Sequence, residues 1–453
     1  MKKHNEITLN EILLFFGGAL FFVFFALLTK IPLVAVFLFM IFYAYLRILS
    51  LRFEEKKYNF LALGFLSLLG VSLVIFFEEY SSFSAYFIPI AAIVMLVTLL
   101  FHDLELSLIF SVVLSVFTGL IYGGNLYLAG VLMIGSVLSS LLLWQARRRS
   151  KIITAGFLVG VLQALCVLTF LHSLSFKTLP LLRFCVVPFL NGIISAFLVA
   201  GLLSVFEFLF KVVTNISLLE LADFNHPLLK RLVLEAPGTY HHSLMVGNIS
   251  EMAAEAIGAN ALLARVGSYY HDIGKLEKPE YFSENQDNSS NKHDELSASM
   301  SKLVIMDHVK TGVELARQKG LNPAIIDFIT QHHGTSLVYY FYRRALESTE
   351  DSEGVAEEGF RYPGPKPQTK ETAIVLLADS VEAACRSLEE PTAERISDMV
   401  HRVINNKFID GQLDACDLTL RDLEKIAKTF IHMLGSFYHT RIDYPDQNKG
   451  ESS

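Results

Sequence analysis

The first 210 residues hold a succession of apolar runs long enough to cross a bilayer, and this limits the chain more than any other feature. Inside lipid every backbone N–H and C=O must find a partner within the protein, so only helices and closed barrels are allowed. The runs are continuous rather than alternating, which selects helices of about 17–20 residues. Eight can be read, near 12–29, 31–49, 60–77, 85–101, 104–122, 126–143, 152–174 and 184–208. The last carries Pro188 and is expected to kink or to run on past the membrane. The first is too long for a cleavable leader, and no small-residue cleavage site follows it.

Charge sets the orientation. With the N-terminus inside, the inner segments hold Lys2, Lys3, Arg47, Arg52, Lys56, Lys57, Arg147, Arg148, Arg149 and Lys151. The outer ones hold only Lys30, Lys177 and Arg183. This bias predicts a multi-pass protein of the inner or plasma membrane, with its N-terminus and its second half in the cytoplasm. His102, Asp103, Glu105 and Glu207 sit in loops or near helix ends, not in mid-span. An anchor or sensor fits this better than a transporter.

Beyond residue 210 the composition changes. Residues 1–210 carry 13 Lys+Arg and 9 Asp+Glu, which leaves 25 and 36 for the remainder, a net charge of −11. Such an acidic domain does not suit a nucleic-acid polymer. Cys166, Cys185, Cys385 and Cys416 lack CxxC spacing, so neither a disulfide framework nor a zinc ribbon is expected. Apolar residues recur at helical spacing from about 214 to 440, and alternating β-branched runs are nearly absent. The predicted class is therefore all-α. A polytopic membrane bundle (1–210) precedes an all-helical cytoplasmic domain (211–440) and a disordered tail (441–453). Gly258, Gly274 and Gly320 fall where helix C-caps belong. The stretches 283–299 and 347–359 read as solvated loops.

Eleven of the fourteen histidines follow residue 210. His271 and Asp272 are adjacent at a helix end, and His241–His242 and His332–His333 are paired. His308 and Asp379 lie inside otherwise apolar helices. A buried, unpaired Asp costs several kcal/mol, and a metal ion removes that cost. Imidazole and carboxylate together suit iron, manganese or zinc.

The ordered set His242, His271–Asp272, Asp379 resembles the signature of the HD-domain phosphohydrolases. These four can hold one metal. His308, His332 and His333 add ligands for a second, with Asp272 bridging. Two metals would clamp a phosphoryl group and activate water. The segments GTYHHS (238–243), HDIGK (271–275), DHVKTG (307–312), QHHGT (331–335), RYPGPKPQTKETA (361–373) and LADSVEAACRS (377–387) are similar to the seven-transmembrane HD phosphodiesterases of the PgpH type. That resemblance implies hydrolysis of cyclic di-AMP to linear pApA at a di-iron or di-manganese centre. It implies the ligands His242, His271, Asp272, His308, His332, His333 and Asp379. His241 is then a neighbour, and Asp272 and Lys275 carry catalytic roles, with Lys275 placed to help a phosphate oxygen. The implied partners are a cyclic dinucleotide, the bilayer and no nucleic-acid polymer, and a homodimer is compatible.

One departure stands out. The family has one span, a large extracytoplasmic domain and then seven spans. Here only Thr29, Lys30, Ile31 and Pro32 join the first two runs. External ligand sensing is put in doubt, but catalysis is not. Three alternatives fit the residues less well. A cyclic di-GMP phosphodiesterase of HD-GYP type would carry Gly before Tyr362–Pro363, where this chain has Arg361. A nucleotide-sensing receptor, or an HD domain kept only for dimerisation, would not need every ligand position filled.

Overall fold

The computed structural model describes residues 60–173, 178–286, 291–348 and 356–438. The two apolar runs before residue 60 and the tail after 438 lie outside this range. The chain divides between Ser217 and Leu218 into two compact units. Among the described residues there is no strand, only an isolated antiparallel bridge between Leu337 and Arg361.

The first unit is built from α1 (Phe60–Glu79), α2 (Ile90–Phe101), α3 (Leu104–Ile121), α4 (Leu126–Leu143), α5 (Ser150–Ser173) and α6 (Thr178–Phe210). Among the described residues, five windows are long and apolar enough to cross a membrane: Ala62–Glu79, Leu104–Ile121, Leu126–Leu143, Ser150–Leu171 and Arg183–Phe210. The run at 85–101 is shorter than these windows and is not one continuous helix. It is a 3₁₀ turn (Ala85–Phe87) followed by the 12-residue α2. Twelve residues rise about 18 Å, and the turn before them extends the apolar stretch to Ala85–Phe101. Pro89 cannot donate a hydrogen bond, so the helix starts only after it. Residues Ile90 to Leu100 are all buried, as befits a helix that is apolar on every side. The side chain of Asn191 on α6 donates to the carbonyls of Tyr86 and Ile88 and satisfies the non-helical backbone there.

At 33 residues, or about 50 Å, α6 outruns the hydrocarbon core and contains Pro188. It packs closely on α5. A Cβ on Gly156 would lie 2.3 Å from Ala196 Cβ, and one on Gly192 would lie 2.3 Å from the Gly156 carbonyl. Small residues let membrane helices approach in this way. The polar groups near the ends of this unit hold backbone. Asp103 caps α3 through Leu106 N at 3.1 Å. His102 Nε2 accepts from Asn215 N at 3.1 Å, and Glu207 accepts from Thr214 N at 3.0 Å.

After α7 (Asn215–Leu221), the second unit contains α8 (Pro227–Glu235), α9 (Pro237–Ile257), α10 (Ala261–Tyr270), α11 (Ala298–Gln318), α12 (Pro323–Gln331), α13 (Tyr339–Glu347), α14 (Lys370–Arg386), α15 (Ala393–Ile409) and α16 (Leu420–Phe437). α14 is the central helix. A Thr369–Thr372 capping box starts it, and Ile374, Val375, Leu376, Leu377 and Val381 are fully buried. They pack with Val246 and Ile249 of α9, Val400 of α15 and Phe430 of α16. Two acids, Asp379 and Glu382, are buried in this apolar helix. That burial demands partners, and the partners define the site.

Gly258 is the C-cap of α9 and Gly320 follows Lys319, the C-cap of α11, with φ of 74° and 68°. Gly274 is in neither position. It sits inside a 3₁₀ turn (Ile273–Glu277), where an added Cβ would meet the His308 carbonyl at 1.8 Å. Its lack of a side chain serves close packing of this turn on α11, not a left-handed backbone.

Candidate metal centre

α10 ends at His271, which delivers Asp272 to the middle of the second unit. Around this carboxylate four imidazoles are oriented by the same device. His271 Nδ1 faces the Ser268 carbonyl at 2.7 Å, and His332 Nδ1 faces the Ile329 carbonyl at 2.9 Å. His308 Nδ1 is bound to the Ile305 carbonyl, and His242 Nδ1 lies 2.6 Å from Glu382 Oε2. Each Nδ1 faces an acceptor and so carries a hydrogen, which turns Nε2 inward.

Those Nε2 atoms divide between the two oxygens of Asp272. His271 and His242 face Oδ2 at 3.2 and 3.6 Å. His308 and His332 face Oδ1 at 3.4 and 3.5 Å. Asp379 spans the same division, with Oδ1 3.0 Å from His242 Nε2 and Oδ2 3.7 Å from His333 Nδ1. Two ligand groups result, His242–His271–Asp272 and Asp272–His308–His332–His333, each with donor atoms within 4.8 Å of one another. His271 Nε2 and Asp272 Oδ1 are buried without a hydrogen-bond partner. Buried polar atoms are rarely left so, and cation ligands are expected to be. The donor set therefore fits divalent transition metals.

Electrostatics support the same assignment. Burial opposes the charge on Asp272, yet His271 and Lys275 beside it hold its carboxyl well below the usual range. Burial pushes the His308 imidazole down to about 4 and His333 well below its ordinary value, so both stay neutral. His242 is the exception. Burial opposes its charge, but Asp379 and Glu382 outweigh that and raise it to about 10. Lys275 lies 2.7 Å from both Asp272 Oδ2 and Glu284 Oε1.

All seven sequence-predicted ligands converge here, with Lys275 alongside, while His241 is exposed. Three neighbours were not foreseen. Glu382 follows Asp379 by three residues on the same face of α14, and a second acid in that apolar helix was a readable signal. Tyr362 is buried and stacks on His333 with centroids 4.3 Å apart. Glu284 corrects the expectation of a solvated loop at 283–299. It is nearly buried between Lys275 and Thr239, and His293 is buried against Tyr281. Polar composition hid this, because these polar groups satisfy one another. In the stretch 347–359 the described residues 347–348 and 356–359 are exposed, as expected of a solvated loop, and residues 349–355 lie outside the described range.

An all-helical unit whose His/Asp cluster is divided across one aspartate, joined to a bundle of bilayer-length helices, defines a membrane protein with an HD-type metal-binding domain. The chain belongs to the seven-transmembrane HD-domain proteins of the PgpH type. Residues 24–214 match the family model "7TM receptor with intracellular HD hydrolase", and residues 239–384 match the HD domain. Cyclic-di-AMP phosphodiesterase PgpH of Bacillus subtilis is 39% identical over 416 residues, 88% of this chain and 58% of that protein. The protein of the same name from Listeria monocytogenes is 40% identical over 389 residues, 84% of this chain and 53% of that one. The solved HD domain of L. monocytogenes PgpH, in complex with cyclic-di-AMP, is 48% identical over 48% of this chain and 100% of that one, with a TM-score of 0.46. The chain thus spans about half the length of the curated relatives it matches.

Proposed function

We propose that the chain is a membrane-anchored, metal-dependent phosphodiesterase that opens cyclic di-AMP to linear pApA at a dinuclear iron or manganese centre in the cytoplasm. The observation that carries this reading is the division of four Nε2 atoms between the two oxygens of Asp272. That arrangement suits a carboxylate shared by two ions. Two relatives named for this activity support the substrate assignment.

Bound ions would supply Lewis acidity to the phosphoryl oxygens and lower the pKa of water. His242, His271 and Asp379 would hold one ion and His308, His332 and His333 the other, with Asp272 between. The orienting acceptors on Nδ1 keep each imidazole fixed during turnover. Lys275, held by Glu284, keeps its proton and is close enough to the centre to offset charge on a phosphate oxygen. The domain is acidic overall, so affinity for a dianionic substrate must come from these local cations rather than from long-range attraction.

The test is turnover of cyclic di-AMP against cyclic di-GMP, with elemental analysis of the same sample. At least about a tenfold kcat/KM preference for cyclic di-AMP is expected, about 1.4 kcal/mol in transition-state binding. Equal rates, or a preference for guanine, would favour the HD-GYP reading.

A second expectation follows from His242. In the metal-free protein its raised pKa keeps it protonated near neutral pH. A metal at Nε2 must displace that proton. Metal uptake should then release about one proton per chain, and affinity should fall as pH falls. Calorimetry in two buffers of different ionisation enthalpy measures this release. Identical enthalpies in both buffers would contradict it.

A further inference from the structure

The segment 361–368 and the turn at 410–412 have no role in the reading above, yet both converge on residues 331–336, which carry His332 and His333. Gln412 is fully buried. Its Oε1 accepts from Thr335 N at 2.8 Å, and its Nε2 donates to Thr335 Oγ1 at 3.0 Å and to Asp410 Oδ2 at 2.8 Å. Asp410 in turn receives the Arg361 guanidinium at 2.9 and 3.2 Å, and Arg361 also donates to the Thr335 carbonyl at 2.9 Å. Lys407 donates to Ser336 Oγ at 2.7 Å. On the other side of the histidines, buried Gln331 accepts from Gln368 N at 2.9 Å.

The fit leaves no slack. Gly334 has φ of 53°, and a Cβ there would lie 2.4 Å from Gln412 Oε1. The need for such a clamp is local. His242 and His308 lie inside long helices, which hold their backbone. His332 is the C-cap of the nine-residue α12, and His333 lies beyond it. Their directions depend on what holds the chain just after them. Ligand positions must be kept to about half an ångström for a metal to bind well.

We propose that Gln412 is a positioning residue for the second metal subsite. It fixes the backbone at Thr335 and thereby aims His332 and His333 at the centre. The proposal rests on the two-metal reading above.

The test uses the full chain in detergent, stripped of metal and titrated with Mn²⁺ alone, with electron paramagnetic resonance as the readout. Wild type should bind two ions and show a spin-coupled pair. Gln412→Ala should keep the first ion at wild-type affinity and bind the second about 10–100-fold more weakly. Where wild type shows the coupled pair, the variant should show an isolated ion. Unchanged affinities and a coupled spectrum in the variant would overturn the proposal, as would equal weakening of both ions with helical content preserved. If Gln412→Ala does not fold, Thr335→Val, which removes only the hydroxyl arm, decides by the same readouts. A single uncoupled ion in wild type would remove the two-metal reading and this proposal with it, whereas a wild-type pair with an unchanged variant removes this proposal alone.

Discussion

On the proposed two-metal reading, replacing Asp272 with alanine should empty the centre of both ions and lower kcat/KM by at least about a thousandfold, on the order of 4 kcal/mol. Each of its oxygens serves a different pair of imidazoles, so truncation removes a ligand from both groups at once. Asp379 pairs with His242, His271 and His333, whereas His308 and His332 face Asp272. Elemental analysis of the purified variant, alongside turnover of cyclic di-AMP, gives the answer. An Asp272→Ala protein that still carries an ion and hydrolyses substrate at a tenth of the normal rate would mean that the two histidine groups act separately.

Gly274→Ala should be among the most damaging single-methyl substitutions in the second unit, costing about 3 kcal/mol or more. The new Cβ would fall 1.8 Å from the His308 carbonyl and 2.6 Å from Gly312 N, both backbone atoms of α11 that no rotamer change can move. The 273–277 turn would have to lift away from α11, taking Asp272 from His308. Two measurements are expected to move together: the thermal midpoint of the metal-free protein falls, and Mn²⁺ binding weakens. A variant with wild-type midpoint and metal content would show that the turn and helix separate freely.

Gly274 also shows where sequence reasoning stops. Its position after a helix-ending His-Asp pair suggested a C-cap, as at Gly258 and Gly320. Those two residues answer a local demand, a left-handed backbone at the end of a helix, and local demands leave local signals. Gly274 answers the approach of a helix that begins 24 positions later, at Ala298. Glu284 and Gln412 were missed for the same reason. Each is a polar residue in a polar stretch, which reads as solvated until the chain folds and buries it against a partner. The run at 85–101 shows a related limit: hydropathy counts apolar residues but not the hydrogen bond that Pro89 cannot donate, so the break between the 3₁₀ turn and α2 left no signal.

The sequence by itself determined the all-helical class and the change from membrane bundle to acidic domain. It also offered every candidate ligand: His308 and Asp379 because a polar group set inside an apolar helix is a costly choice that chemistry must justify, and the others through the paired spacing that the family resemblance reads. Only the tertiary structure decided how those ligands divide. His242 and Glu382 lie 140 positions apart yet meet at 2.6 Å, and Asp272 turns one oxygen to each histidine pair. Such geometry comes from helix packing and from backbone carbonyls that orient each ring. Residue type and spacing record what can bind a metal, but the direction in which a lone pair points is set by contacts between distant parts of the chain.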